Sequence, residues 1–125
     1  MKKVETTSAP KAIGPYSQAI ICKNLVYTSG QVALVPETGD MVHANITTQT
    51  KQVCENLKHV LEEAGSSLNR VIKTTCFLKN INDFAEFNTV YAKHFTEKPA
   101  RSTIEVSNLP KNALVEIEVI AELDG

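Results

Sequence analysis

Residues 99–117 read PARSTIEVSNLPKNALVEI, and the chain continues EVIAEL to residue 123. Two strand-like runs flank a polar, proline-containing loop. Residues 101–106 form the shorter run and 114–123 the longer. The longer run alternates strictly. Val115, Ile117, Val119, Ala121 and Leu123 fall on one face, with Leu114, Glu116, Glu118, Ile120 and Glu122 on the other. A period of two marks a strand with one face buried. The opposite face mixes carboxylates with Leu114 and Ile120, which predicts a sheet surface left partly apolar.

Two helices precede this unit. Val53, Leu57, Leu61 and Ala64 recur at helical spacing, widened by Cys54 and Val60. Thr47 or Thr48 is the expected cap at its start and Gly65 at its end. Phe84, Phe87, Tyr91 and Phe95 form a second stripe. It opens on Asp83 with Glu86 three residues later, resembling a capping box, and Pro99 lies beyond its end. Residues 17–22 and 25–29 read as a hairpin about Lys23-Asn24, residues 32–35 as an extended piece, and 71–78 as a further strand. The order β-β(-β)-α-β-α-β-β predicts one α+β domain over residues 1–125. Two helices cover one face of its sheet, and the other face calls for subunit packing.

Composition narrows the function. The chain has 125 residues, 42% of them apolar, with 14 acidic and 13 basic side chains and a formal charge of −1. A phosphate-backbone binder needs a basic stripe, so nucleic acid is not an expected partner. Residues 4–8 are mostly polar, so no signal-peptide core follows Met1-Lys2-Lys3. No apolar run approaches the ~20 residues of a membrane span. Cys22, Cys54 and Cys76 are far apart and form no C-x-x-C, which suggests a reducing cytoplasm. His43, His59 and His94 lack metal-ligand spacing, and neither a metal nor another cofactor is expected. Spacing supports no Cys-His nucleophilic pair and does not exclude one.

Arg101 and Glu116 remain as the chemically suggestive pair, fifteen residues apart across the loop. If their strands are adjacent and antiparallel, both side chains reach one region of the sheet. A guanidinium fork grips a carboxylate at two points. A glutamate in a partly desolvated cleft can take a proton from water. The plainer alternative is a cross-strand ion pair of little energetic consequence.

PARS-x-I-x-V-x-x-L, the proline-containing loop and VEIE together resemble the signature of the RidA/YjgF family. Residues 13–19, IGPYSQA, and 27–31, YTSGQ, resemble that family's N-terminal motifs. Gln49 to Val53, Asn56 and Leu57 resemble its first helix. Phe84, Ala85, Asn88, Val90 and Tyr91 resemble its second. The likeness spans nearly the whole chain. It implies a chorismate-mutase-like trimer with a central β-barrel and clefts between subunits. It also implies hydrolysis of 2-imino acids and their enamine tautomers (2-aminoacrylate, 2-iminobutanoate, 2-iminopropanoate) to 2-keto acids and ammonia. Such imines arise from pyridoxal-phosphate-dependent dehydratases, which implies a functional link to those enzymes.

By the same resemblance, Arg101 binds the substrate carboxylate and Glu116 orients or activates the attacking water. Tyr16 lies near the imine end, and Ser29 and Gly30 line the pocket through their backbone. Asn88 stands near the site, although its place beside the aromatic stripe equally suits a buried structural amide. Many family members have cysteine where this chain has Thr103, so no thiol is available there. Backbone groups at Thr103 remain to hold carboxylate or water. A metabolite-sensing regulator and, less favoured, an endoribonuclease or translation inhibitor are the alternative functions.

Overall fold

A computed structural model describes residues 1–124. Its strands are β1 (Lys2–Val4), β2 (Ala19–Cys22), β3 (Leu25–Thr28), β4 (Val71–Leu78), β5 (Ala100–Glu105) and β6 (Val115–Glu122). The helices are α1 (Ile46–Ala64), between β3 and β4, and α2 (Phe84–His94), between β4 and β5. The strands form one six-stranded sheet in the order β1-β2-β3-β6-β4-β5. All neighbours are antiparallel except β4 and β5. That parallel pair is joined across the sheet by α2, since a hairpin cannot connect parallel strands.

The alternation read in 114–123 holds over Val115–Glu122. Val115, Ile117, Val119 and Ala121 are buried against the helices. From α1, Val53, Cys54, Leu57, Val60 and Leu61 are fully buried against them. Truncating Leu57 or Leu61 to alanine would cost about 2–5 kcal/mol, lost transfer energy plus a cavity. The cap of α1 is Asn45 rather than Thr47 or Thr48, its side chain accepting the Thr48 N–H at 3.0 Å. Gly65 ends the helix in the left-handed region at φ 89°, a conformation that disfavours a side chain.

Helix α2 departs more from expectation. Asp83 makes no capping hydrogen bond. Instead a short 3-10 turn, Ile81–Asp83, leads in, and Asn80 accepts the Asn82 N–H. Phe87, Tyr91 and Phe95 are buried as the stripe requires, but Phe84 stays partly exposed. Strand β1 has no counterpart in the sequence reading. The extended piece at 32–35 forms only isolated bridges, Leu34 with Met41 and, just before it, Gln31 with Ile117.

The largest correction concerns the two strands of the signature. β5 and β6 are not neighbours, because β4 lies between them. Thr74 pairs with Arg101, and Phe77 with Glu116. Thr74 is buried on the helix side. Phe77, an odd number of residues along β4, therefore belongs to the other side. Arg101 and Glu116 thus project from opposite faces of the sheet.

The face away from the helices carries Tyr27, Lys73, Thr75, Phe77, Ile104, Glu116, Glu118 and Ile120, as the registers require. Tyr27 and Ile104 are exposed there, the partly apolar surface expected from β6. Leu114 is an exception. It precedes β6 and packs against the core instead.

Candidate active site

Glu116 lies in an open cleft of about 640 Å³ with Lys11, Ile13, Tyr16, Ser29, Gly30, Val32, Leu34, Pro110, Lys111 and Glu118. Local sequence explains how its parts meet. Gly14 adopts φ 128°, which a side chain would strain, and its carbonyl accepts the Tyr16 N–H at 2.9 Å. This tight turn, stiffened by Pro15, leaves Tyr16 about half-exposed at the cleft, at 53%. Ser29 follows β3. Its N–H donates to the Gln18 carbonyl at 2.9 Å and its Oγ to the Ser17 carbonyl at 2.6 Å. The IGPYSQA and YTSGQ segments are thereby clamped together.

Gly30 has a steric reason to be glycine. A Cβ there would fall 2.8 Å from Glu116 Cδ and would overlap Oε2. The carboxylate therefore lies directly on the Gly30 backbone. Burial raises the Glu116 carboxyl above its ordinary range, and the charge of Glu118 raises it further. Among the described residues no lysine, arginine or histidine pairs with it. A half-buried carboxylate without a cation is a stronger base than an exposed one.

Arg101 occupies a second cleft, of about 420 Å³, lined by Asn88, Tyr91, Ala92, Phe95, Lys98 and Pro99. Its Nη1 donates to Asn88 Oδ1 at 2.7 Å. Its guanidinium carbon stands 4.7 Å from the ring centre of Tyr91, 5.3 Å from Phe84 and 5.9 Å from Phe87. Cation–π attraction and one neutral acceptor hold the group, and no carboxylate of the described residues neutralises it. The cross-strand ion pair with Glu116 is excluded by the opposite faces. An unneutralised, pre-oriented fork is suited to a carboxylate from outside.

Thr103 stands two residues beyond Arg101 on the same strand, opposite Cys76. Its Oγ1 is buried beside the Cys76 thiol, with no other polar partner, and lines neither cleft. Cys54 and Cys76 are wholly buried. Burial pushes Cys76 up to about 11 and Cys54 further still, which makes both poor nucleophiles. Among the described residues no three His, Cys, Asp or Glu side chains converge as a metal site, and no helix is long and apolar enough to cross a membrane.

One chain therefore brings Tyr16, Ser29, Gly30 and Glu116 together, and separately Asn88 with Arg101. Sequence reasoning missed Lys11, Lys111 and Glu118 as cleft residues. Glu118 was legible, being two residues from Glu116 on the same strand face. The two lysines gave no signal, because loops place them. Phe84 and Tyr91 read only as core, yet they also form the surface against which Arg101 rests.

The chain is similar over nearly its whole length to known proteins. The family model described as Endoribonuclease L-PSP matches residues 6–123. A RutC family protein of Pyrococcus abyssi is 56% identical over 93% of this chain and 92% of its own length. The chloroplastic Reactive Intermediate Deaminase A of Arabidopsis thaliana is 48% identical over 96% of this chain and 65% of its own length. The crystal structure of YyfA from Yersinia pestis, described as of the Rid protein family, superposes with TM-score 0.95 at 51% identity, covering 98% of each chain. Other relatives carry regulator or endoribonuclease names.

Proposed function

The chain belongs to the RidA/YjgF family, and from that premise we propose that it hydrolyses reactive 2-imino acids to 2-keto acids and ammonia. The substrates are 2-aminoacrylate, through its imine tautomer 2-iminopropanoate, and 2-iminobutanoate. The observation that carries this reading is the Glu116 carboxylate, desolvated, free of cations and lying on Gly30 beside Tyr16. It favours proton transfer from a bound water over a structural ion pair.

Arg101, held by Asn88, takes the substrate carboxylate, and backbone groups at Thr103 assist it. Tyr16 stands at the imine end, and Ser29 and Gly30 line the wall. Because Arg101 and Glu116 leave opposite faces of the sheet, one site needs both side chains from different copies of the chain. A homotrimer, its open sheet faces packed as a central barrel, meets that need and covers Tyr27 and Ile104.

The chemistry requires no external electron carrier. Water attacks C2 of the protonated imine while Glu116 accepts a water proton. The resulting carbinolamine nitrogen takes that proton back. The C–N bond then breaks, ammonia leaves, and loss of the hydroxyl proton completes the keto group. Binding the carboxylate and aiming the water remove most of the entropic barrier.

The test is a coupled assay in which threonine or serine dehydratase generates the imine. Keto-acid release faster than solvent hydrolysis, abolished by Arg101→Ala, is the expected result. Tight keto-acid binding with no acceleration would overturn it in favour of a metabolite-sensing regulator. RNA cleavage lost in Glu116→Gln would favour the endoribonuclease names.

A further inference from the structure

Glu118 lies two residues from Glu116 on β6, on the same sheet face, and lines the same cleft. Residues at that spacing along a strand stand roughly 7 Å apart at Cα. It also borders a smaller cavity of about 200 Å³ with Tyr27, Lys73 and Thr75. Glu118 thus separates the candidate site from the middle of the open sheet face. Neither carboxylate is ion-paired among the described residues. The titratable groups around the pair in one chain are Tyr27 of β3, Lys73 of β4, Tyr16 and Lys11 of the N-terminal loop, and Lys111 of the 110–112 turn, and the trimer proposed above adds Arg101 of a neighbouring copy. The lysines line the cavities without closing on either acid.

We propose that Glu118 is a positioning residue for the base of the cleft, acting on Glu116 through its carboxylate on the same wall and not through contact with substrate. This rests on the reading of Glu116 as the base. The physical basis is like-charge proximity: two carboxylates on one wall resist simultaneous ionisation. Of the two, Glu118 is the more exposed in the single chain. The half-buried Glu116, already disfavoured as an anion by desolvation, then holds its proton to higher pH. Glu118 need not touch the substrate for this.

The proposal is tested by carbon-13 NMR titration of the glutamate side-chain carboxyls, alongside the pH dependence of kcat/KM for imine hydrolysis. Glu118→Gln should lower the Glu116 midpoint, and the acid limb of kcat/KM should move down equally. Glu118→Asp, which keeps the charge, should restore most of both. An unmoved Glu116 midpoint in Glu118→Gln would overturn the proposal. So would a Glu118→Asp protein that titrates like Glu118→Gln, since the charge would then not be the cause. If the midpoint moves and the acid limb does not, the coupling stands and the base reading of Glu116 falls.

Discussion

Arg101 and Glu116 are carried on opposite faces of one sheet, with β4 between their strands. Two strand spacings and three residues of β4 separate their backbones, roughly 10 Å in each direction. A small imino acid cannot bridge that path through the core. The expected consequence is complementation between subunits. Arg101→Ala and Glu116→Gln proteins should each be inactive alone. Co-refolded in equal amounts, they should recover activity at about one quarter of interfaces, where each partner supplies its intact side chain. Failure of mixed oligomers, verified by native mass spectrometry, to recover any activity would contradict an Arg101–Glu116 site shared between chains.

Gly30→Ala separates fold from function. The added methyl overlaps the Glu116 carboxylate, the far end of a flexible side chain that can swing away. Stability should change by less than about 1 kcal/mol, whereas displacement of the base should lower kcat by about tenfold or more. Thermal melting and the coupled assay read the two effects.

Glu116 also leaves a pH signature in stability. Its folded carboxyl is raised by burial first and by Glu118 second. The folded state therefore favours the protonated form. That contribution is full below the unfolded value and is lost as pH rises through the folded one. Glu116→Gln should melt at or slightly above wild type near pH 7, and the difference should shrink near pH 4.

Asn88→Ala tests how the guanidinium is held. It removes the 2.7 Å acceptor of Arg101 but leaves the aromatic surface. The fork keeps its charge and loses its orientation, so KM should rise about tenfold with a smaller change in kcat. Steady-state kinetics with several dehydratase-derived imines would show it.

Thr103→Val replaces a buried hydroxyl, whose one polar neighbour is the weakly bonding Cys76 thiol, by a methyl of similar shape. Removing a poorly satisfied buried oxygen should stabilise the protein by up to about 1 kcal/mol. If only backbone groups of Thr103 serve the substrate, kcat/KM should stay within a factor of about three. Denaturant unfolding and the coupled assay decide this.

The local elements were largely legible from residue pattern. The alternation from Val115 to Glu122 and the stripe Val53-Leu57-Leu61 report which side of each element faces away from water, and burial follows that preference directly. Boundaries were less legible. Asn45 outcompetes Thr47 as a cap because the loop leading into α1 leaves Asn45 extended, at φ −144°, with its side chain turned toward the Thr48 N–H. β1 gave no sign, since a three-residue edge strand is made by its partner β2 rather than by its own pattern.

By itself the sequence determined the two-helix α+β class and the partly apolar open face. These depend on side-chain chemistry and on periods of two and 3.6, which travel with the chain. Only the tertiary structure decided that β4 inserts between β5 and β6, because pairing partners are chosen across long loops by the crossover of α2. That insertion places Arg101 on the helix side among Asn88 and Tyr91, and Glu116 on the open side over Gly30. Proximity in a short signature thus became separation by a sheet, for strand pairing obeys three-dimensional packing and not distance along the chain.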